Sequence, residues 1–367
     1  MISRRLLVSS APAFIGGRWS TLACSETSTS DSHGSAAAST RHTGSPANRE
    51  AAALTRELVR FATLAPSSHN TQCWKFSAEG KAITIGPDLA RRCPVVDPDD
   101  HHVFVTLGCA SENLVQAALA HGFAAAPGFD ATDDTVRVTL TSVAAHTSPM
   151  FLALASRQCT RGDYDGRPLS GDDLRLLERA AASDGVRLLM LTERPAMERV
   201  LAHVVQGNTV QMANPAFLGE LKSWMRFNGA DAARTRDGLS SMSSGNPAIP
   251  TWLGELAFDW FFTARGENDK IARQVRSSAG IAVFNGESAD KAHWVEVGRA
   301  YERFALQATV LGIRNAFLNQ PVEVKSVRSD FATALGLPGR RPDLVVRFGR
   351  GPVLPRSLRR PVESVMV

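Results

Sequence analysis

Gly108-Cys-Ala-Ser-Glu-Asn-Leu-Val-Gln-Ala-Ala-Leu-Ala-His-Gly-Phe123 and Gly298-Arg-Ala-Tyr-Glu-Arg-Phe-Ala-Leu-Gln-Ala-Thr-Val-Leu-Gly-Ile313 agree at five of sixteen positions. The matches are Gly108/Gly298, Ala110/Ala300, Glu112/Glu302, Ala118/Ala308 and Gly122/Gly312, and Leu114/Phe304 and Phe123/Ile313 are apolar in both copies. The apolar residues recur at helical spacing, and Gly122 and Gly312 fall where a helix ends in a left-handed cap. Small residues facing small residues would let two such helices approach closely. Strand-like chain follows each copy, Thr135–Leu140 after the first and Leu344–Phe348 after the second. Two similar halves in one chain read as a fused dimer, in which a ligand site formed between subunits survives between halves. The competing reading is that two Ala-rich amphipathic helices look alike by chance.

Outward from these helices the chain alternates irregularly between helix and strand, which favours an α+β fold over a doubly wound sheet. A helix is expected over Glu50–Thr63, halting before Ala65-Pro66. A hairpin is expected from Trp74–Ser77 and Ala82–Ile85, turning at Glu79-Gly80. A loop rich in Pro and Asp then leads to the first repeat helix. Further on, the sequence predicts a helix from Leu152 running into Arg157–Arg161, helices over Asp173–Ala182 and Ala196–Val205, and a strand over Val186–Leu191. Phe227–Ile249 is rich in Gly, Ser and Asn, lacks periodicity, and reads as a loop or lid.

The 367 residues correspond to about two domains or one large one. A hydrophobic fraction of 44% and a charged fraction of 21% exclude wholesale disorder. No run approaches the ~18 apolar residues of a membrane-spanning helix. Of 41 basic residues only six are Lys, so Arg forks suited to phosphate are abundant. The net charge of +5 includes Arg4, Arg5 and Arg18 in an acid-free stretch, and nothing demands a nucleic acid. Five scattered Cys with no C-x-x-C pair argue against a disulfide framework or a zinc site.

Ser3-Arg4-Arg5-Leu6-Leu7 ahead of a modest apolar stretch resembles a twin-arginine export signal over residues 1–24, with a ragged, over-extended start as the plain alternative. Export would place the protein in the periplasm or beyond; otherwise it is cytoplasmic. Between Ser25 and Asn48, eleven residues are Ser or Thr, the composition of a disordered linker. The expected organisation is then a first half over 49–147 and a second over 148–367, with a lid insertion at about 227–250.

No Rossmann, P-loop, zincin or serine-hydrolase motif is present in the sequence. Asp97-Pro98-Asp99-Asp100-His101-His102 carries metal-ligating residue types, but a contiguous loop rarely completes a coordination sphere, and a solvated turn is the reading adopted. The most informative stretch is Ala65-Pro66-Ser67-Ser68-His69-Asn70-Thr71-Gln72-Cys73-Trp74-Lys75-Phe76. Its amides and hydroxyls, set between a helix end and a strand, suit the edge of a planar heteroaromatic ligand, although polar corners that bind nothing are commoner.

This stretch resembles the A-P-S-x-x-N-x-Q-P-W element of the FMN-dependent nitroreductases and is similar to its variant in the Acg-like branch. Asp97-Pro98, Gly108 with Glu112-Asn113-Leu114, Arg157-x-x-x-Arg161, Phe317–Glu323 and Arg359-Arg360-Pro361-Val362-Glu363 fall in that branch's order, from about Glu50 to Val367. The resemblance implies a nitroreductase-like α+β fold, two degenerate repeats forming an intramolecular pseudo-dimer, and FMN as cofactor. It implies that Ser67, Ser68, His69, Asn70 and Gln72 meet the flavin ring and ribityl edge. Arg157 and Arg161 would grip the phosphate, Arg359 and Arg360 would supply a late basic contact, and Asn319 and Gln320 would stand near the reactive edge. Without the family, Arg157 and Arg161 read equally as surface cations, Arg359-Arg360 as a solvated tail, and His69 as a structural histidine. Cys73 stands where the family usually has Pro, and the second half lacks its own S-x-x-N-x-Q corner, so one flavin is expected. No side-chain catalytic residue is assigned.

Two functions follow. One is an oxidoreductase passing hydride from NAD(P)H through flavin to an electron-poor acceptor such as a nitroaromatic or quinone. The other is a non-enzymatic FMN-binding or FMN-sequestering protein, its flavin covered by a lid to which Trp252, Phe258, Trp260, Phe261 and Phe262 contribute; those aromatics read equally as core.

Overall fold

A computed structural model describes residues 51–245 and 247–367. The expected export signal and linker lie outside the described residues. The first helix, α1 (Ala51–Ala62), presents one apolar face, with Leu58, Val59, Phe61 and Ala62 fully buried. Strands β1 (Trp74–Glu79) and β2 (Ala82–Pro87) form the expected hairpin, which turns through Gly80 at φ 57°. The helix α2 (His101–Ala120) follows, then β3 (Phe123–Asp130) and β4 (Thr135–Ser142), closing an antiparallel sheet of order β1-β2-β4-β3.

Beyond α3 (Pro149–Leu154) and α4 (Gly171–Ala181), a second four-stranded sheet is built from β5 (Val186–Leu191), β8 (Gly280–Gly286), β9 (Arg314–Phe317) and β10 (Leu344–Gly349) in the order β5-β8-β10-β9. Between β5 and β8 lie α5 (Arg194–Met212), α6 (Pro215–Trp224), α7 (Gly229–Thr235), α8 (Thr251–Phe261) and α9 (Ala264–Arg276). Helix α10 (Lys291–Val310) joins β8 to β9. The architecture is the expected α+β.

Helices α2 and α10 carry the two matched sequence copies and cross at the matched glycines. A Cβ on Gly108 would lie 2.0 Å from the Val295 carbonyl oxygen, and one on Gly298 would lie 2.0 Å from that of Val105. The two backbones therefore touch where only glycine has room. Gly122 and Gly312 end these helices at φ 84° and 69°, as left-handed caps require. Among the described residues α2 is long and apolar enough to cross a membrane, yet 83% of its apolar window is buried inside the fold. It is a core helix.

The two sheets exchange edges. Phe76 on β1 donates its amide to Val365 O at 2.8 Å and accepts from Val367 N at 2.9 Å, so residues 365–367 extend the first sheet. Thr160 N donates to Asn315 O at 2.8 Å, which lays the chain after α3 along the β9 edge of the second.

Three expectations change. Helix α2 begins at His101, seven residues before the matched copy, and Asp97, His101 and His102 are 3%, 0% and 5% exposed, so this segment is an interior corner and not a solvated turn. Arg157 and Arg161 lie beyond the end of α3 and not on a helix, because the segment pairs with β9 instead. The 227–249 segment contains α7 and the strand β7 (Leu239–Ser240), which pairs in parallel with β6 (Met225–Arg226) just before it, so it is more ordered than a loop.

Candidate functional site

The chain leaves α1 through Thr63, Leu64 and Ala65 and turns sharply into β1. His69, Asn70 and Gln72 all hold left-handed φ, at 48°, 56° and 56°. Asn tolerates that region, whereas His and Gln do so at a cost of about 1–3 kcal/mol each, which surrounding contacts must offset. The contacts are visible. Gln72 N donates to Ser67 Oγ at 2.9 Å, and Asn70 N and Thr71 N donate to Ser67 O and Ser68 O at 3.0 and 2.9 Å.

The two amides tie three distant segments together. Asn70 Nδ2 donates to Gly238 O at 3.0 Å and to Leu358 O at 3.3 Å, while its Oδ1 accepts from Arg359 Nη1 at 2.9 Å. Gln72 Nε2 donates to Arg236 O at 2.8 Å, and Oε1 accepts from Arg360 N at 2.7 Å. Asp237, between those two carbonyls, pairs with Arg91 and with Arg226 Nη2, the latter at 2.7 Å. Burial works against the Asp237 carboxylate, but hydrogen bonds from Arg226 and Arg91 hold its carboxyl below the ordinary value. The polar corner is thus a fastener for the segment from Met225 to Ser240.

Arg359 is buried and donates Nε to Thr63 O at 2.6 Å and Nη2 to Leu64 O and Ala65 O at 3.1 and 3.0 Å. Arg157 is also buried; it donates to Leu64 O and pairs with Glu302 Oε1 at 2.9 Å. With its amide turned, Asn113 donates to the same Glu302 oxygen at 2.9 Å and accepts from Ala65 N at 3.0 Å. Burial pushes the Glu302 carboxyl up, and the Arg157 guanidinium opposes it. Both arginines cap the carbonyls at the exit of α1, groups no helix can satisfy internally. Arg360 extends outward, donating to Ser364 O at 2.9 Å.

A cavity of about 300 Å³, at the lower end of the ligand-pocket range, is lined by the 66–69 corner, α2, α5, α9 and the strands β9 and β10. Of the residues expected at the flavin, Ser67, Ser68, His69, Arg161, Asn319 and Gln320 line it. Asn70, Gln72, Arg157, Arg359 and Arg360 do not. Arg157 and Arg359 are buried and already matched to carbonyls, the Asn70 amide and Glu302, whereas Arg360, also outside the lining, keeps Nη1 without a hydrogen-bond partner.

The cavity carries a charge pattern the sequence did not disclose. Arg347 of β10 lines it, buried, donating to Gly162 O at 2.8 Å and to Thr160 O at 3.2 Å and lying 4.2 Å over the Tyr164 ring. Arg347 also donates to Gln274 O at 3.4 Å and feels the Asp163 carboxylate, but neither it nor Arg161 forms a close ion pair among the described residues. The sequence signal was a lone Arg within the apolar run Leu344-Val-Val-Arg-Phe348, where an unpaired charge needs a reason. Burial and then the neighbouring Arg161 and His102 lower the His69 imidazole to about 4, so it is neutral at neutral pH. His69 Nε2 and Gln320 Oε1 are buried without partners. Val96, Val105, Met212, Phe217 and Phe262 supply apolar wall. Glu267, Lys270 and Glu323 also line the cavity. Of the aromatics in the expected lid, Phe258 is buried, whereas Trp252, Trp260 and Phe261 point to solvent, at 68%, 73% and 82% exposure.

No family model matches the chain. Among solved structures, a nitroreductase with bound FMN from Bacteroides fragilis aligns at a TM-score of 0.34 and 16% identity, over 56% of this chain and 90% of that one. A nitroreductase structure from Anabaena variabilis aligns at 0.43 and 10%, over 74% and 69%. Two curated proteins from Mycobacterium tuberculosis strains CDC 1551 and H37Rv, both assigned as NAD(P)H nitroreductases, are each 25% identical over 325 residues, spanning 85% of this chain and 90% of theirs. The nitroreductase resemblance read in the motifs is thus shared with curated relatives along most of their length, and the chain is a relative of proteins assigned to that family.

Proposed function

We propose that the protein is an FMN-binding oxidoreductase that takes hydride from NAD(P)H and passes it to an electron-poor acceptor such as a nitroaromatic or a quinone. The observation that carries this reading is the pair of guanidiniums, Arg161 and Arg347, that line the cavity without a close ion pair among the described residues, beside unpartnered His69 Nε2 and Gln320 Oε1. A flavin nucleotide fits such a donor set: a phosphate for the cations and ring heteroatoms for the orphaned polar atoms. Arg161 and Arg347 would hold the phosphate, and Ser67, Ser68, His69, Asn319 and Gln320 would position the ring and its tail. When bound, FMN supplies two-electron redox chemistry through its ring. The chain's own work is to bind, orient and exclude water. His69, neutral at neutral pH, offers a hydrogen bond without a second positive charge.

The two matched helices crossing at reciprocal glycines, and two sheets of corresponding strand order, support the reading of a fused pseudo-dimer with one flavin between the halves at 49–147 and 148–367. Export through the twin-arginine signal belongs to the same proposal, and accumulation of the protein in the cytosol when that pathway is blocked is the result expected.

The deciding experiment is to purify the protein, record its flavin spectrum and follow NAD(P)H oxidation with a nitroaromatic. Stoichiometric FMN and turnover above that of free FMN are expected; turnover no greater than free FMN would overturn the enzymatic reading. A second reading, flavin storage, is favoured by the fastening of the 225–240 segment to the polar corner through Asn70 and Gln72. Storage predicts bound flavin that dithionite reduces slowly, and free reduction would remove it.

A further inference from the structure

One corner of the molecule is unexplained by flavin chemistry. Asp97, His101 and His102 stand at the N-terminus of α2, 3%, 0% and 5% exposed, and each offers one donor atom within 4.8 Å of the others. The imidazole rings of His101 and His102 are 4.6 Å apart between centroids, and the His101 ring also meets Trp294 edge-on at 5.0 Å. Nδ1 of His101 and both ring nitrogens of His102 are buried without partners. Leaving a buried polar atom unpaired costs about 1–3 kcal/mol, and here three such atoms sit on two neighbouring rings beside one carboxylate.

The groups around them are arranged. His101 Nε2 is held by Asp343 Oδ1 at 2.8 Å, and Asp343 Oδ2 accepts from Gly286 N at 2.6 Å. That leaves Nδ1 of His101 as the available lone pair. Asp97 Oδ2 accepts from His102 N and Val103 N at 2.9 and 3.2 Å, which fixes the carboxylate against the helix. An imidazole oriented by a carboxylate on its far nitrogen, beside a carboxylate oriented by backbone amides, is the outer support found around metal ligands. His102 also lines the cavity, so the corner has an approach from outside.

We propose that Asp97, His101 and His102 bind a divalent first-row transition ion of the zinc class. Two imidazoles and one carboxylate are its borderline donor set, with a remaining position directed to the cavity. Asp343 acts through His101 as a positioning residue. None of the three residues is among those assigned to the flavin, although His102 lines the same cavity.

The test is metal binding by the full chain as purified, after dialysis against a chelator, with Co(II) as the probe and Zn(II) as competitor. Expected are one Co(II) per chain, d–d absorption at wavelengths beyond the flavin bands, displacement by Zn(II), loss of binding in His102→Ala and Asp97→Asn, and a fall in affinity of about 10–100-fold in Asp343→Asn. Absence of stoichiometric Co(II) binding by the unaltered chain would overturn the proposal, as would binding that survives both ligand variants. A thiolate-to-cobalt charge-transfer band would do so too, because it would place the ion at His69, Cys93 and Glu220, whose donor atoms are also within 4.8 Å of one another. If the variants do not fold, histidine-ring NMR of the unaltered chain decides: Zn(II) should shift the His101 and His102 nitrogens, and unshifted rings refute the site. Flavin content and turnover are not read in any arm.

Discussion

Arg157 and Arg359 on one side, and Arg161 and Arg347 on the other, differ in what faces them. The first two are enclosed by Thr63, Leu64 and Ala65 carbonyls, the Asn70 side chain and Glu302. The second two line the cavity, and although Arg347 also donates to the Thr160, Gly162 and Gln274 carbonyls, neither forms a close ion pair among the described residues. A guanidinium with matched partners is part of the scaffold. One that faces a cavity is free to meet a ligand there as well. Residue type is the same in both cases; access to the cavity decides.

The largest effect that could break this distinction is on stability. Arg359→Ala would strand the Thr63 and Ala65 carbonyls and the Asn70 oxygen, so a loss of about 3–5 kcal/mol is expected in urea denaturation. A loss below about 1 kcal/mol would mean the cap is not structural. Next comes binding. Arg161→Ala should leave the denaturation midpoint within about 0.5 kcal/mol of the parent while weakening FMN about 10–100-fold by equilibrium titration, since hydrogen bonds to charged groups contribute about 1.5–3 kcal/mol. Unchanged FMN affinity would remove Arg161 from the site.

A third, smaller effect is pH-dependent. The folded His69 titrates at about 4, below its ordinary 6.5, so the unfolded chain binds the extra proton first as pH falls. Stability contributed by neutral His69 is therefore present above about 6.5 and lost as pH falls towards 4. His69→Asn, which also suits the left-handed φ, should flatten that part of the stability profile by about 1–2 kcal/mol; an unchanged slope would count against burial of the ring. Smallest is Arg161→Lys, which keeps the charge but loses the planar fork. A fall in FMN affinity of a few-fold, measured in the same titration, is expected.

Much of the fold was legible because it rests on local rules. The strand Val186–Leu191 was placed to the residue, the hairpin turn at Gly80 was visible as Glu-Gly, and the small residues of the two matched helices lie at their crossing. The site was legible by half. Ser67, Ser68 and His69 could be named from the corner, but the roles of Asn70 and Gln72 depend on Arg236, Gly238, Leu358 and Arg360, between 164 and 288 positions away. Arg347 was hidden in a strand read only for its apolar pattern. His101 and His102 looked like loop polarity because nothing local says that α2 starts seven residues early. Non-local partners, not residue chemistry, were the missing information.

The edge exchange between the sheets has a temporal side. Phe76 on β1 cannot meet Val365 and Val367 until about 290 more residues have emerged. At about 5–20 residues per second that delay is about 15–60 s, during which the edge of the first sheet is bare. The ribosome therefore releases a chain whose opening third is still unsealed, and a chaperone engaging Trp74–Glu79 in that interval would govern the yield of native protein.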